Sequence, residues 1–154
     1  MRVGDREKFF TFLSARSAEI IEPKSLQRKL GAGRKLRVKL GIDPTNPKLH
    51  IGFAIPLRIL RAFQNAGHRA VLIIGDFTGQ VGDPAERDTA RRQLTPAEVK
   101  ANQRTYRNQI GRIIDLAKAE VHHNSEWFSR MRLADFLKLL SRFPLKSAWE
   151  REDF

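Results

Sequence analysis

Two short stretches of the chain carry residue types that could bind an anionic ligand. The first, DPTNPKLHIG at 43–52, contains Thr45, His50 and Gly52, and the second, GDFTGQVGDP at 75–84, contains Thr78 and Asp83. A histidine near a helix start can donate a hydrogen bond to a phosphate oxygen, and the free N–H groups of that helix favour an anion. A glycine there lets a ligand approach the backbone. The pattern indicates a phosphate-type site, while an ordinary helix start with a turn glycine is the competing interpretation.

Hydrophobic periodicity predicts the elements that position these two stretches. KLRVKLGI at 35–42 and RAVLIIGDF at 69–77 are typical of strands, and apolar residues at helical spacing from 52 to 66 predict a helix between them. A strand, a helix and a strand in this order form a right-handed parallel βαβ unit. Ligands of open parallel sheets bind beyond the carboxyl ends of the strands. Both stretches are therefore expected at the same edge of one sheet.

The rest of the chain predicts helices and one further strand. Helices are expected at 5–21, at 23–31, from a capping box at Thr95-Pro96 to about residue 119, and at 133–140, with a short strand near AEVHHN at 119–124. These elements predict an N-terminal helical segment at 1–34, the first half of an α/β, Rossmann-like fold at 35–94 and a helical connective segment at 95–154. The charged end SAWEREDF is typical of a helix cut near its start, which suggests a fragment.

The composition favours a polyanionic partner. Lys and Arg number 29 against 17 Asp and Glu, for a net charge of +12, which suits RNA or nucleotide substrates, although a solvated surface has the same composition. The lack of cysteine excludes disulfides and thiolate metal sites. The adjacent His122 and His123 would point to opposite faces of a strand, so no metal site is predicted. With neither a signal peptide nor an apolar run of about 18 residues, a cytoplasmic protein without membrane contact is expected.

The two stretches together carry a resemblance to a known family. GIDPTNPKLHIG followed by AGHRAVLIIGDFTGQVGDP resembles the tyrosyl-tRNA synthetases, in the tyrosyl/tryptophanyl branch of class I, whose signature is G-x-D-P-T, H-[IL]-G-H and G-D-x-T-G-x-x-G-D-P. LTPAEVKAN, NSEWF and EREDF extend it to most of the chain. The resemblance implies activation of L-tyrosine by ATP, with Mg²⁺ bound as part of the substrate complex and not by protein ligands. It also implies transfer to tRNA(Tyr) and a homodimer formed through residues 120–145, including Phe128 and Phe136.

The resemblance also implies roles for individual residues. Thr45 and His50 would contact the ATP phosphates in the transition state, and Asp83 would bind the tyrosine ammonium group. The remaining assignments are Gly41, Asp43, Pro44, Gly52 and Phe53 for the ATP site, and Lys39 and Thr78 for the tyrosine site. The competing interpretations are an Asp-Pro turn for Asp83 and a simple surface position for Lys39. In the exposed loop that follows, Arg87, Arg91 and Arg92 could contact the tRNA acceptor end or could be solvated.

Three departures from the signature keep other functions open. Phe53 replaces the second signature histidine, Lys39 stands where many members have a tyrosine, and no KMSKS-like motif occurs in the 154 residues. The alternative is a non-catalytic module that binds RNA or a partner protein. A different HxGH-type nucleotidyltransferase is disfavoured by the GDFTGQVGDP stretch.

Overall fold

The structure, a computed structural model, describes residues 3–81 and 94–142. In chain order its helices and strands are α1 (Val3–Ser14), α2 (Pro23–Gly31), β1 (Arg37–Ile42), α3 (Ala54–Asn65), β2 (Arg69–Ile74), α4 (Pro96–Ile110), β3 (Ala119–His123), α5 (Ser125–Phe128) and α6 (Leu133–Leu140). Short 3₁₀ turns lie at Ile51–Phe53, Thr78–Gln80 and Leu116–Lys118. Asp83, the three loop arginines and the SAWEREDF stretch lie outside the described residues.

The three strands form one parallel sheet in the order β1-β2-β3. Arg69 N–H donates to Leu36 O at 2.8 Å, and Gly75 N–H donates to Ile42 O at 2.9 Å. The residue numbers rise together along β1 and β2, which defines a parallel pair. The predicted α/β, Rossmann-like fold is confirmed, as are both strands of the βαβ unit and the short third strand.

The chain divides into two compact units. The first comprises Met1–Leu40, Leu49–Leu72 and Arg107–Val121, and the second comprises Gly41–Lys48, Ile73–Tyr106 and His122–Phe154. The division into segments at 34 and 94 stays a prediction. Among the described residues, no helix combines the length and the apolar character needed to cross a membrane.

The first unit has an aromatic and aliphatic core. Leu13 of α1, Leu30 of α2 and Phe63 of α3 are buried together, and the Phe9 and Phe63 rings pack edge to face with their centroids 5.0 Å apart. An edge-to-face pair of this kind stabilises the fold beyond the contribution of the apolar area that it buries. These contacts explain why α1, α2 and α3 form, since each helix buries one apolar stripe.

Two helix ends differ from the prediction. The helix expected at 5–21 ends at Ser14, and Ile20 packs against the same core from the segment that follows the helix. The helix expected to run to about 119 ends at Ile110, because Gly111 and the next residues form a turn. Gln64 fixes that turn by bonding both backbone groups of Asp115, at 2.9 and 3.0 Å. In both places apolar side chains reach the core from a non-helical segment, and helical spacing cannot distinguish such a segment from a longer helix.

The local signals of helix start and stop are confirmed. Glu98 accepts a hydrogen bond from Thr95 N–H at 2.8 Å, and the Thr95 hydroxyl accepts one from Glu98 N–H at 3.3 Å. This is a capping box at the start of α4. Gly67 follows α3 with φ +87°, a backbone conformation that favours glycine.

Candidate active site

His50 lies in the first unit, at the turn that leads into α3. Its Nδ1 accepts a hydrogen bond from Gly52 N–H at 3.1 Å, and Phe53 N–H closes the turn on His50 O at 3.0 Å. Gln109 holds the residue before the histidine, because its Oε1 accepts a hydrogen bond from Leu49 N–H at 2.9 Å. With Nδ1 acting as an acceptor, the neutral imidazole carries its hydrogen on Nε2, so Nε2 is the group that can donate to a ligand.

Gly52 and Phe53 both contact this histidine. A Cβ atom at Gly52 would lie 2.7 Å from Cε1 and 2.8 Å from Nδ1 of the His50 ring. The Phe53 ring centroid is 4.5 Å from that of His50. A side chain at Gly52 would therefore displace the imidazole from this position.

Lys39, the other predicted residue of the first unit, is exposed on β1. Strand β1 alternates between exposed and half-buried residues before its buried last residue, Ile42, and Lys39 falls on the exposed side of this pattern. The role expected for it at the tyrosine phenol stays a prediction.

In the second unit, a chain of hydrogen bonds joins residues that follow the three strands. Asn124 Nδ2 donates to Thr78 Oγ1 at 2.8 Å, and Thr78 Oγ1 donates to Asp43 Oδ1 at 2.9 Å. Asn124 Oδ1 accepts from Phe77 N–H at 2.8 Å, and this asparagine is buried at 5% exposure. Two of the predicted site residues, Asp43 and Thr78, are thus brought into direct contact, and Asn124 fixes the direction of the hydroxyl hydrogen.

Glycines of the second stretch make room for the first. A Cβ atom at Gly75 would lie 1.7 Å from Asp43 Oδ1, and one at Gly79 would lie 3.3 Å from Pro44 Cδ. Pro44 is fully buried. The glycines of GDFTG therefore allow the DPT residues to pack directly on the turn after β2.

Helix α4 holds the DPTNP loop through one of its faces. Asn102 Nδ2 donates to Pro44 O at 3.0 Å, the Tyr106 hydroxyl donates to Asn46 O at 2.7 Å, and the Thr105 hydroxyl donates to Pro47 O. Burial raises the pKa of the Tyr106 phenol above its usual value, so the hydroxyl keeps its hydrogen as a donor. Thr45 lies inside this fixed loop, where its N–H donates to Asp43 O at 2.9 Å.

A second polar cluster surrounds Asp76. Its carboxylate accepts from the backbone N–H of Ser125 at 2.9 Å and from the Ser125 hydroxyl at 2.8 Å, and His123 Nδ1 lies 3.2 Å from Oδ2. His122 contacts Glu126 at 3.5 Å instead. Within the described ranges, no three His, Cys, Asp or Glu residues converge as a group that could hold a metal ion.

Sequence reasoning missed Asn124, Ser125 and Tyr106, and it included Asp76 in the second motif without giving it a partner. Asn124 directly follows β3, and the rule that places ligands beyond the carboxyl ends of parallel strands could have identified it. Tyr106 gave no such signal, because its partner Asn46 lies 60 residues away in the sequence.

A parallel sheet with polar residues gathered after its strands places the chain in the Rossmann-like α/β class. The family described as tRNA synthetases class I (W and Y) matches residues 31–154, and the chain belongs to this family. The predicted family resemblance is confirmed.

Similar proteins agree with this family. The chain is 46% identical over 138 residues to the tyrosine–tRNA ligase of Oleidesulfovibrio alaskensis, covering 90% of this chain and 35% of that protein. It is 49% identical over 129 residues to the tyrosine–tRNA ligase of Symbiobacterium thermophilum, covering 84% of this chain and 32% of that protein. A C-terminally truncated mitochondrial tyrosyl-tRNA synthetase of Coccidioides posadasii superposes with a TM-score of 0.71 at 25% identity, covering 93% of this chain and 42% of that one. The chain spans about a third of the length of the curated relatives it matches.

Proposed function

We propose that this chain supplies the ATP- and tyrosine-binding part of a tyrosine–tRNA ligase. The observation that carries the proposal is the hydrogen-bond chain Asn124–Thr78–Asp43, because it brings the two signature motifs together in the second unit. The identity of 46% to a tyrosine–tRNA ligase supports tyrosine as the amino acid.

The proposed reaction has two steps. A carboxylate oxygen of tyrosine attacks the α-phosphorus of ATP. The bond between the α-phosphorus and the oxygen that links it to the β-phosphorus breaks, and pyrophosphate leaves. A terminal ribose hydroxyl of tRNA(Tyr) then attacks the carbonyl carbon of the adenylate, the bond between that carbon and the phosphate oxygen breaks, and AMP leaves with the hydroxyl proton. Such a reaction depends mainly on the orientation of the reactants and on donors placed where charge develops on phosphate oxygens.

Five of the predicted residues have a role in this proposal that their chemistry allows. His50 Nε2–H and the Thr45 hydroxyl donate to phosphate oxygens, and the Asp83 carboxylate pairs with the tyrosine ammonium group. Asp43 and Thr78 form a hydrogen bond with each other, and this bond fixes both side chains at the edge of the sheet. Mg²⁺ enters with the phosphates of ATP and is assigned no protein ligands.

The partner surface in the proposal is the apolar side of α6. Leu133 is 72% exposed and Leu137 is 55% exposed, and Phe136, Leu139 and Leu140 are exposed as well. Because an exposed patch of this kind marks an interaction site, we place the contact of a homodimer in the region 120–145. The net charge of +12 supports tRNA as the polyanionic partner.

Tyrosine-dependent ATP–pyrophosphate exchange tests the activation step. We expect exchange that requires tyrosine, is not supported by tryptophan and is lost in His50→Ala. Thr45→Ala should reduce exchange, whereas the matched control Thr11→Ala, at an exposed position of α1, should not. Exchange without tyrosine would contradict the proposed substrate.

A chimera tests the same proposal in a full-length protein. In it, the aligned part of this chain replaces the matching 138-residue segment of the Oleidesulfovibrio alaskensis ligase. We expect the chimera to charge tRNA(Tyr). A folded chimera that binds tRNA but forms no tyrosyl-adenylate would favour the alternative of a non-catalytic binding module.

A further inference from the structure

We propose that Phe53 is a positioning residue that holds the His50 imidazole in one orientation and one tautomer. The role of His50 as a phosphate donor rests on the proposed function, whereas the contact between the two rings does not. The inference starts from a departure in the sequence, since Phe53 stands where the family signature has a second histidine.

The backbone of the turn fixes one edge of the imidazole. Gly52 N–H donates to Nδ1 at 3.1 Å, and this bond forms only while Nδ1 carries no hydrogen. The ring therefore keeps its hydrogen on Nε2. His50 is exposed, so a single hydrogen bond to an exposed backbone group leaves the ring free to rotate out into water.

The Phe53 ring supplies a second contact. The centroids of the two rings are 4.5 Å apart with an interplanar angle of 48°, which is within the range of favourable aromatic pairs. The turn produces this contact, because Phe53 N–H bonds to His50 O at 3.0 Å and brings side chains three residues apart to the same side. Any rotation of His50 out of its hydrogen bond also changes its contact with Phe53.

Gly52 completes the arrangement because it carries no side chain. Its Cβ atom would lie 2.7 Å from His50 Cε1, closer than such contacts occur in proteins. The turn thus holds the imidazole by a hydrogen bond and an aromatic ring, and a Cβ atom at residue 52 would push the imidazole out of this position. A phenylalanine cannot donate a hydrogen bond to a nucleotide, but it can set the direction in which His50 Nε2–H donates, so that less reorganisation is needed in the transition state.

Nitrogen NMR of the four histidine side chains tests the inference without any activity measurement. Long-range proton–nitrogen spectra of the labelled chain distinguish protonated from unprotonated ring nitrogens, and His50→Gln identifies the signals of His50. We expect a single tautomer with Nδ1 unprotonated, and imidazole protons shifted by the Phe53 ring current. Phe53→Leu should give a mixture of both tautomers and no ring-current shift.

Two further variants control this experiment. Phe53→Tyr keeps a ring and should keep the single tautomer, whereas Phe136→Leu makes the same chemical change in α6 and should leave the His50 signals unchanged. The backbone amide spectrum of each variant reports whether it is folded. A folded Phe53→Leu with the same tautomer and the same imidazole shifts as the unmodified chain would overturn the inference.

Kinetics then separate this inference from the proposed function. In tyrosine-dependent exchange, Phe53→Leu should lower kcat by about 2- to 12-fold, the rate factor that corresponds to one aromatic pair, with little change in the KM for ATP. Phe53→Tyr should restore the rate. If no variant supports exchange but the tautomers differ as expected, the proposed function fails and the positioning role stands. If exchange is present and Phe53→Leu changes neither kcat nor the tautomer, the positioning role fails.

Discussion

The hydrogen bond between Asp43 and Thr78 depends on the absence of a side chain at Gly75. A Cβ atom there would lie 1.7 Å from Asp43 Oδ1 and 2.6 Å from Thr78 Oγ1, so Gly75→Ala must displace the carboxylate and break the bond. A hydrogen bond to a charged group contributes about 1.5–3 kcal/mol. The substitution also restricts the unfolded chain, which stabilises the protein by about 0.4–1 kcal/mol where the backbone is compatible. We therefore expect a net loss of about 0.5–2.5 kcal/mol in the free energy of unfolding.

Gly41→Ala is the matched control for this substitution. Gly41 lies in β1, and a Cβ atom built there meets no heavy atom within 4 Å. Both substitutions restrict the unfolded chain equally. The difference in the free energy of unfolding between the two variants therefore isolates the lost hydrogen bond, and we expect it to be about 1.5–3 kcal/mol. Urea unfolding measures this difference, and thermal unfolding should show a lower Tm by about 2–4 °C per kcal/mol.

The reasoning would be refuted if Gly75→Ala and Gly41→Ala were equally stable. A double-mutant cycle adds a second check, because Asp43→Ala removes the carboxylate that the new methyl group would strike. In the Asp43→Ala background, Gly75→Ala should lower the free energy of unfolding much less than it does in the unmodified chain. An undiminished cost would show that the methyl group acts through something other than the Asp43 carboxylate.

Three further predictions follow from the described contacts. Tyr106→Phe removes the donor to Asn46 O and should lower the free energy of unfolding by about 0.5–1.5 kcal/mol in urea titrations. Because burial raises the pKa of this phenol, the unmodified chain should also lose stability as pH rises above about 10, and Tyr106→Phe should lack that loss. Burial, together with nearby positive charge that includes Lys35, lowers the pKa of His68. Its stabilising contribution is therefore complete above about pH 6.5 and is lost as pH falls through the lowered pKa, so His68→Gln should flatten the acid limb of the stability curve. Leu137→Glu should abolish self-association in light scattering, and a dimer that survives this change would exclude the apolar side of α6 as the contact.

Helix and strand patterns were predictable where local signals decide them. The capping box at Thr95 and Glu98 forms within four residues, and the glycine after α3 adopts a positive φ that few other residues tolerate. Periodicity likewise predicted β1, α3 and β2, since a strand or helix with one apolar face must bury that face. Family membership was predictable too, because the motifs that define it are contiguous in the sequence.

The end of α4 was not predictable, because a contact between distant parts of the chain stabilises the turn that follows it. Gln64 bonds both backbone groups of Asp115, which lies 51 residues further on, and so fixes a turn where periodicity predicted helix. Ile114 is buried from that turn at 2% exposure. The spacing of apolar residues predicts which residues are buried in the core. It does not predict whether those residues lie in a helix or in a turn.

The sequence by itself determined the class of sheet and the family, and it supplied the candidate site residues. Only the tertiary structure decided which of them touch: it paired Asp43 with Thr78 across 35 residues and added Asn124 from a further 46 residues along the chain. It also placed Phe53 on His50 and gave Gly52 a steric role beside that ring. The physical reason is that the residue types set what a side chain can donate, accept or bury, whereas hydrogen bonds and steric exclusion act over a few ångströms and depend on where the fold brings each atom.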